Sequence, residues 1–245
     1  MTVLEDIKIE CSKGKVHMTL IDPAAQDPDK SATIAGEAER AGTDFFMVGG
    51  STDIDGKRLS RCIEGIKSSA DKPVIIFPGS SSMISPLADA IYFMSLLNSK
   101  SIDFLMRHQV TAAVPLRKMK IETIPMGYII VEPGMTVGRV GQADLVRRDD
   151  ATSAVSYAVA AQMFGMSLVY LEAGSGSPEH VPGSIIRRVK ESLDIPLIVG
   201  GGIRTPEASA EVARAGADVI VTGTVAERAQ DVYSTLEPII RAAKL

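Results

Sequence analysis

Three glycine-rich runs hold most of the residues whose types and spacing could do chemistry: Tyr170-Leu171-Glu172-Ala173-Gly174-Ser175-Gly176, Val199-Gly200-Gly201-Gly202 and Val221-Thr222-Gly223-Thr224. Glycine lets a ligand approach the main chain, and clustered backbone N–H groups make a concave site for an anion. The second run continues into Ile203-Arg204-Thr205-Pro206, which reads as the start of a helix. Together, the second and third are where barrel enzymes commonly build a phosphate site from amides and a helix N-terminus. In the first run Tyr170 and Glu172 lie two residues apart and share one face of a strand. A Glu with restricted access to water can act as a general base. A turn beside an ion-paired Glu is the alternative reading. The segment is neither a Walker loop nor a dinucleotide fingerprint, because it lacks the Gly-Lys-Thr/Ser ending of the one and the third glycine of the other.

Two other apolar runs stop on polar residues. Leu20-Ile21-Asp22-Pro23 ends in a carboxylate that could bind a divalent cation, orient a substrate hydroxyl, or only cap a turn before proline. Val48-Gly49-Gly50-Ser51-Thr52 offers small residues and a hydroxyl to a cation or phosphate, or a plain turn. His17, His108 and His180 show no metal-ligand spacing and suit core or solvated roles. Asp149-Asp150 lacks the further Asp of an aspartate-rich prenyl-diphosphate motif, since Ser153 stands in its place, and fits an acidic helix start. Arg117-Lys118-Met119-Lys120 could meet a diphosphate or acidic lipid, or be a solvated helix end.

The elements that must position these residues alternate between short apolar runs and helical segments, the pattern of a parallel sheet wrapped by helices. Strands are predicted over 16–22, 44–49, 74–77, 90–96, 124–131, 167–172, 197–201 and 218–222. Eight is the number that closes a (β/α)₈ TIM-type barrel, and 245 residues suit one such domain over 1–245. Arg40-Ala-Gly-Thr-Asp44 and Arg214-Ala-Gly-Ala-Asp218 echo each other, with Gly42 and Gly216 predicted to end helices in the left-handed region. Thr205 and Pro206 are the expected N-cap and first position of a helix. Residues 78–89 are too few for two loops and a full helix, so the connection between strands 3 and 4 should be shortened and leave an apolar flank open to a long hydrophobic ligand or a second subunit. Residues 132–144 form a loop longer than most, at the end of the barrel where function sits.

Composition narrows the partners. A net charge of −4 and the absence of Trp argue against nucleic acid, which demands a basic surplus or stacking platforms. Cys11 and Cys62 form no motif, which points to a reducing, cytoplasmic setting. The acidic start Met-Thr-Val-Leu-Glu-Asp lacks the basic region of a signal peptide, and no apolar stretch reaches bilayer length, so a soluble protein is expected.

Taken together, His17-Met-Thr-Leu-Ile-Asp-Pro23, Val48-Gly-Gly-Ser51, Val74-Ile-Ile-Phe-Pro-Gly79, Phe93-Met-Ser-Leu-Leu-Asn98, Tyr170-Leu-Glu-Ala-Gly-Ser-Gly176, Val199-Gly-Gly-Gly-Ile-Arg-Thr-Pro206 and Thr222-Gly-Thr224 resemble the geranylgeranylglyceryl phosphate synthase family across nearly the whole chain. That resemblance implies Mg²⁺-dependent transfer of a geranylgeranyl group from its diphosphate to the C3 hydroxyl of sn-glycerol 1-phosphate, the first ether bond of archaeal membrane lipids. It implies Mg²⁺ on Asp22 and Ser51, and Glu172 as the base with Tyr170 placing the glycerol. Glycerol 1-phosphate would lie on Tyr170, Leu171, Glu172, Ala173, Gly174, Ser175, Gly176, Gly201, Gly202, Gly223 and Thr224. Some relatives carry Asn at the position of Thr224, which leaves its backbone amide as the shared contact. The bacterial relatives that move a heptaprenyl chain would look alike in the polar site. A different phosphate-binding barrel enzyme or a non-catalytic phospholigand-binding subunit are the further alternatives. An exposed apolar flank also points to a homo-oligomer.

Overall fold

Eight strands pair in parallel, each with the next and the last with the first, in the computed structural model of the chain, which describes residues 1–50 and 54–245. They are β1 (Val16–Ile21), β2 (Phe45–Gly49), β3 (Val74–Phe77), β4 (Ala90–Leu96), β5 (Glu122–Ile130), β6 (Leu168–Glu172), β7 (Leu197–Gly200) and β8 (Val219–Thr222). The described helices are α1 (Val3–Lys13), α2 (Pro28–Arg40), α3 (Gly56–Ser69), α4 (His108–Met119), α5 (Met135–Val140), α6 (Ala151–Met163), α7 (Gly183–Lys190), α8 (Pro206–Ala215), α9 (Thr224–Arg228) and α10 (Val232–Lys244), with a π-helical segment, Asp103–Arg107, leading into α4. The closed barrel expected from the sequence is therefore present. Residues 78–89 carry no helix, so the connection from β3 to β4 is shortened as expected.

The two-residue period of the strands sorts the side chains. Met18, Met47, Ile75, Tyr92, Met126, Tyr170 and Ile198 fill the barrel interior. The alternate residues face outward into two helix-covered cores, one under α2, α3 and α10, the other under α6, α7 and α8. His17 belongs to the outward set. It is fully buried between the Thr43 and Thr222 hydroxyls, at 2.8 and 3.0 Å, and burial lowers its pKa to about 3, so it is a neutral structural residue.

Strand ends differ slightly from the sequence reading, because the acidic residues at them leave the ladder to do other work. Asp44 and Asp218 lie just before β2 and β8, and each accepts an N–H at the start of a neighbouring strand, that of His17 or Leu197, at 2.8 Å. Each also pairs with a lysine, Lys244 or Lys190. Gly42 and Gly216, with φ of +104° and +119°, make the preceding turns. β5 begins earlier than expected, at Glu122. Its carboxylate accepts the N–H groups of Val3 and Leu4 at 2.6 and 2.9 Å and so caps α1. That helix, unanticipated from the sequence, buries Val3 and Ile7 against the barrel interior.

Candidate active site

Above the C-terminal ends of the strands lies a polar cavity of about 1060 Å³, open solvent included. β6 delivers Glu172 and Tyr170 to it from one face, as the two-residue period requires. Glu172 is only 6% exposed. Burial raises its pKa to about 7, against the lowering effect of hydrogen bonds from the Tyr170 hydroxyl and from the Gly174 N–H, the latter 2.6 Å from Oε1. A carboxylate so placed loses its proton near neutrality and is oriented by two donors, which suits a general base. Tyr170 itself is fully buried and held in its phenol form by burial and by Glu172.

Beside Glu172 the main chain makes a cradle of small residues. Gly201, Gly202 and Gly176 have φ of +82°, +75° and +75°. A Cβ on Gly201 would come within 2.7 Å of Gly174 N and 2.9 Å of Ala173 N, and would collide with Glu172 Oε1. A Cβ on Gly202 would strike the Glu179 carbonyl. Opposite them Gly223 opens the short helix α9, whose first amides have no intrahelical acceptor. The Ser175 and Thr224 hydroxyls meet at 2.8 Å and join the two loops. This arrangement can hold a small anion by backbone N–H groups.

The far wall is acidic. Asp22 accepts the Ala24 N–H on Oδ1 at 2.8 Å, while a Cβ on Gly50 would come within 2.7 Å of Oδ2, so the glycine keeps the space beside that oxygen open. Glu227 of α9 accepts the Asp22 N–H at 3.0 Å. Burial is the main reason both carboxyl groups titrate above their ordinary values. Among the described lining residues Arg204 is the one basic side chain; it donates to the Gly176 carbonyl at 3.2 Å. Three carboxylates against one guanidinium make the cavity a poor host for anions unless a cation accompanies them.

An apolar groove of about 760 Å³ meets this cavity, within the roughly 300–1,000 Å³ typical of small-molecule sites. It runs along the flank that the helix-free connection leaves open, between Pro78 to Ser81 and Ile84 on one side and Phe104, His108, Ala112 and Leu116 on the other. Gly50, Phe77, Tyr128 and Val137 line both spaces, so one continues into the other. Phe77, Tyr128 and Tyr170 pack ring against ring there, with centroids 5.2 to 5.7 Å apart.

Of the residues singled out from the sequence, Asp22, Tyr170, Glu172, Ser175, Gly176, Gly201, Gly202, Gly223 and Thr224 all line the polar cavity. Leu171 and Ala173 turn into the outer core, which leaves only their main chain near it, and the Gly174 amide is directed to Glu172. Ser51 lies outside the described residues. Sequence reasoning missed Glu227, Tyr128, and Thr136 and Val137, which lie on α5, a short helix inside the segment 132–144 expected to be a loop. Tyr128 had a signal, since it shares the inward face of β5 with Met126. Glu227 had none, because a Glu in a first helical turn is ordinary. Asp150 and Thr205 serve as the N-caps of α6 and α8, and Arg117 to Met119 end α4.

Known proteins resemble this chain in sequence and in fold. The sequence model of the PcrB family matches residues 8–242. The geranylgeranylglyceryl phosphate synthase of Thermoplasma acidophilum is 63% identical over 244 residues, covering 100% of this chain and 96% of that protein. The synthase of the same name from Picrophilus torridus is 57% identical, covering 98% of this chain and 99% of its own. The crystal structure of (S)-3-O-geranylgeranylglyceryl phosphate synthase from T. acidophilum in complex with substrate sn-glycerol-1-phosphate superposes with a TM-score of 0.97, covering 100% of this chain and 99% of that one.

Proposed function

The chain belongs to the PcrB family and is a prenyltransferase, and we propose that it joins a geranylgeranyl group to the C3 hydroxyl of sn-glycerol 1-phosphate. One observation carries this reading: an apolar groove opens into a polar cavity that holds a buried base and an amide cradle. A transferase that joins a long hydrocarbon chain to a small phosphorylated alcohol needs both spaces and a shared wall between them. The T. acidophilum relative binds glycerol 1-phosphate, which supports the same acceptor here.

In this reading the acceptor phosphate lies on the Gly201, Gly202, Gly223 and Thr224 amides, with its C3 hydroxyl directed at Glu172. The hydroxyl oxygen attacks C1 of the prenyl diphosphate as the C1–O bond breaks, and the bonding pair leaves with diphosphate. The proton passes to Glu172 Oε, whose orientation the Tyr170 hydroxyl and the Gly174 amide maintain. Phe77 and Tyr128 shield the reacting carbon from water at the junction of the two spaces. Asp22, facing open space over Gly50, fits one Mg²⁺ ligand, and Ser51 is proposed as its companion. Mg²⁺ commonly takes one or two protein ligands and completes its shell with water and substrate phosphates, so the proposed pair is enough. Mg²⁺ bound there would neutralise the departing diphosphate.

Assays with glycerol 1-phosphate and prenyl diphosphates of graded length, across a Mg²⁺ titration, test the proposal. Turnover is expected to be best with C20 and to vanish on chelation; preference for C35 would move the assignment to a heptaprenyl donor. Arg204→Gln is expected to raise KM for glycerol 1-phosphate about fivefold with little change in kcat, and the effect should shrink with added salt because the residue is exposed. No described helix is long and apolar enough to cross a membrane. Exposed Met106, Val110 and Val114, spaced four apart on the π segment and α4, support self-association.

A further inference from the structure

The two ends of the polar cavity belong to strands whose pairing stops short of it. β1 and β8 are in register from Val16↔Val219 to Thr19↔Thr222, and no ladder bond joins them further up. Yet beyond that point β8 leads into Gly223 and Thr224, which carry the amide cradle, while β1 leads into Asp22. Helix α9 bridges the gap, but with five residues it is too short to be stable by its own hydrogen bonds. Two contacts tie it to the end of β1. Gly223 packs on the Leu20 carbonyl, to which an added Cβ would come within 3.2 Å, and Glu227 Oε1 accepts the Asp22 N–H at 3.0 Å across 205 residues of sequence. That N–H has left the sheet, so the carboxylate supplies the acceptor that a strand would otherwise have given it.

We propose that Glu227 is a positioning residue: it locks the acceptor-phosphate end of α9 to the Asp22 end of β1 and thereby sets the spacing between the two substrates' anionic groups. The inference rests on the functional reading above and assigns a role in it to a residue one helical turn past the cradle. Its consequence is specific. Loss of the acceptor oxygen should weaken glycerol 1-phosphate binding even with no metal or prenyl donor present, because the cradle amides drift relative to Gly201 and Gly202. Loss of the charge alone should not, since a glutamine carbonyl can accept the same N–H.

Calorimetric titration of glycerol 1-phosphate into metal-free enzyme decides this. The unaltered protein should bind; E227A should bind about tenfold more weakly, the scale of one lost hydrogen bond to a charged group; E227Q should stay within about threefold of the unaltered protein on the same scale. Amide hydrogen exchange across residues 222–229 should accelerate in E227A and not in E227Q. Equal affinity in E227A, or equal weakening in E227Q, would overturn the proposal, the second outcome pointing to charge and not position. If E227A does not fold, E227Q alone still tests it, because weakened binding in that variant contradicts the role. Failure of the unaltered protein to bind glycerol 1-phosphate would instead overturn the functional reading beneath it.

Discussion

Glu172→Gln is expected to lower kcat by about 10²- to 10⁴-fold while leaving glycerol 1-phosphate binding within a few-fold, because the amide keeps the shape of the side chain and removes the proton acceptor. In the unaltered enzyme, kcat/KM should rise with pH up to about 7 and then level, as the buried carboxyl gives up its proton; in the variant that rise should disappear. A stability measurement checks the same burial independently. Folding raises the carboxyl pKa from 4.5 to about 7, so its contribution is fully present below about pH 4.5 and is lost as pH rises through 7. Above that range the ionised buried group costs about 3 kcal/mol relative to an exposed one, with little solvent screening at 6% exposure. Glu172→Gln should therefore unfold at a higher temperature than the unaltered protein at pH 8 and lose that advantage toward pH 4. Full activity in the variant, or no stability difference between the two pH values, would refute the assignment of Glu172 as a buried base.

Gly201→Ala should damage the cradle and the base beside it together. A residue with φ of +82° strains any side-chain-bearing amino acid by about 1–2 kcal/mol, and here the added Cβ also meets Gly174 N at 2.7 Å and Ala173 N at 2.9 Å. Those are main-chain atoms of the strand end that carries Glu172, so they cannot swing aside. Gly176→Ala is the control: its φ is +75°, but nothing lies within 4 Å of the added carbon. The control should lose only the strain, about 1–2 kcal/mol in thermal unfolding. Gly201→Ala should lose more stability than that and bind glycerol 1-phosphate at least about 100-fold more weakly, since the cradle amides and the base are displaced together. Equal behaviour of the two variants would show that backbone strain alone, without close packing, accounts for the glycines.

The organisation of the site fits the proposed pair of substrates. In the proposed reaction both are anions, an allylic diphosphate and a phosphorylated alcohol, yet the cavity is lined by Asp22, Glu172 and Glu227 with Arg204 as the one described cation. The acids are useful only if the anions are held by groups that do not depend on side-chain charge. Backbone amides do this on one side, and on the other a divalent cation at Asp22 would. Leaving out the helix between β3 and β4 then has a physical purpose, because a helix there would fill the apolar path that opens directly onto Gly50, Phe77 and Tyr128.

Local chemistry was legible in the sequence because it depends on neighbours along the chain. A two-residue period placed Tyr170 with Glu172 and Met18 with Asp22, turn chemistry put Gly42 and Gly216 in the left-handed region, and counting residues showed that 78–89 could not hold a helix. The family resemblance drew on these same local runs. Closure of the barrel decided the rest, because it determines which strand ends become neighbours. It brought Glu227 to Asp22, gave Glu122 to the start of α1, and made Tyr128 part of the wall between groove and cavity. It also set the burial that moves Glu172 to a pKa of about 7. The sequence by itself determined the local runs, such as Tyr170 to Gly176, that could act at the mouth of the barrel; their distant neighbours, electrostatics and mutual distances were decided only by packing, since these depend on atoms brought together from opposite ends of the chain.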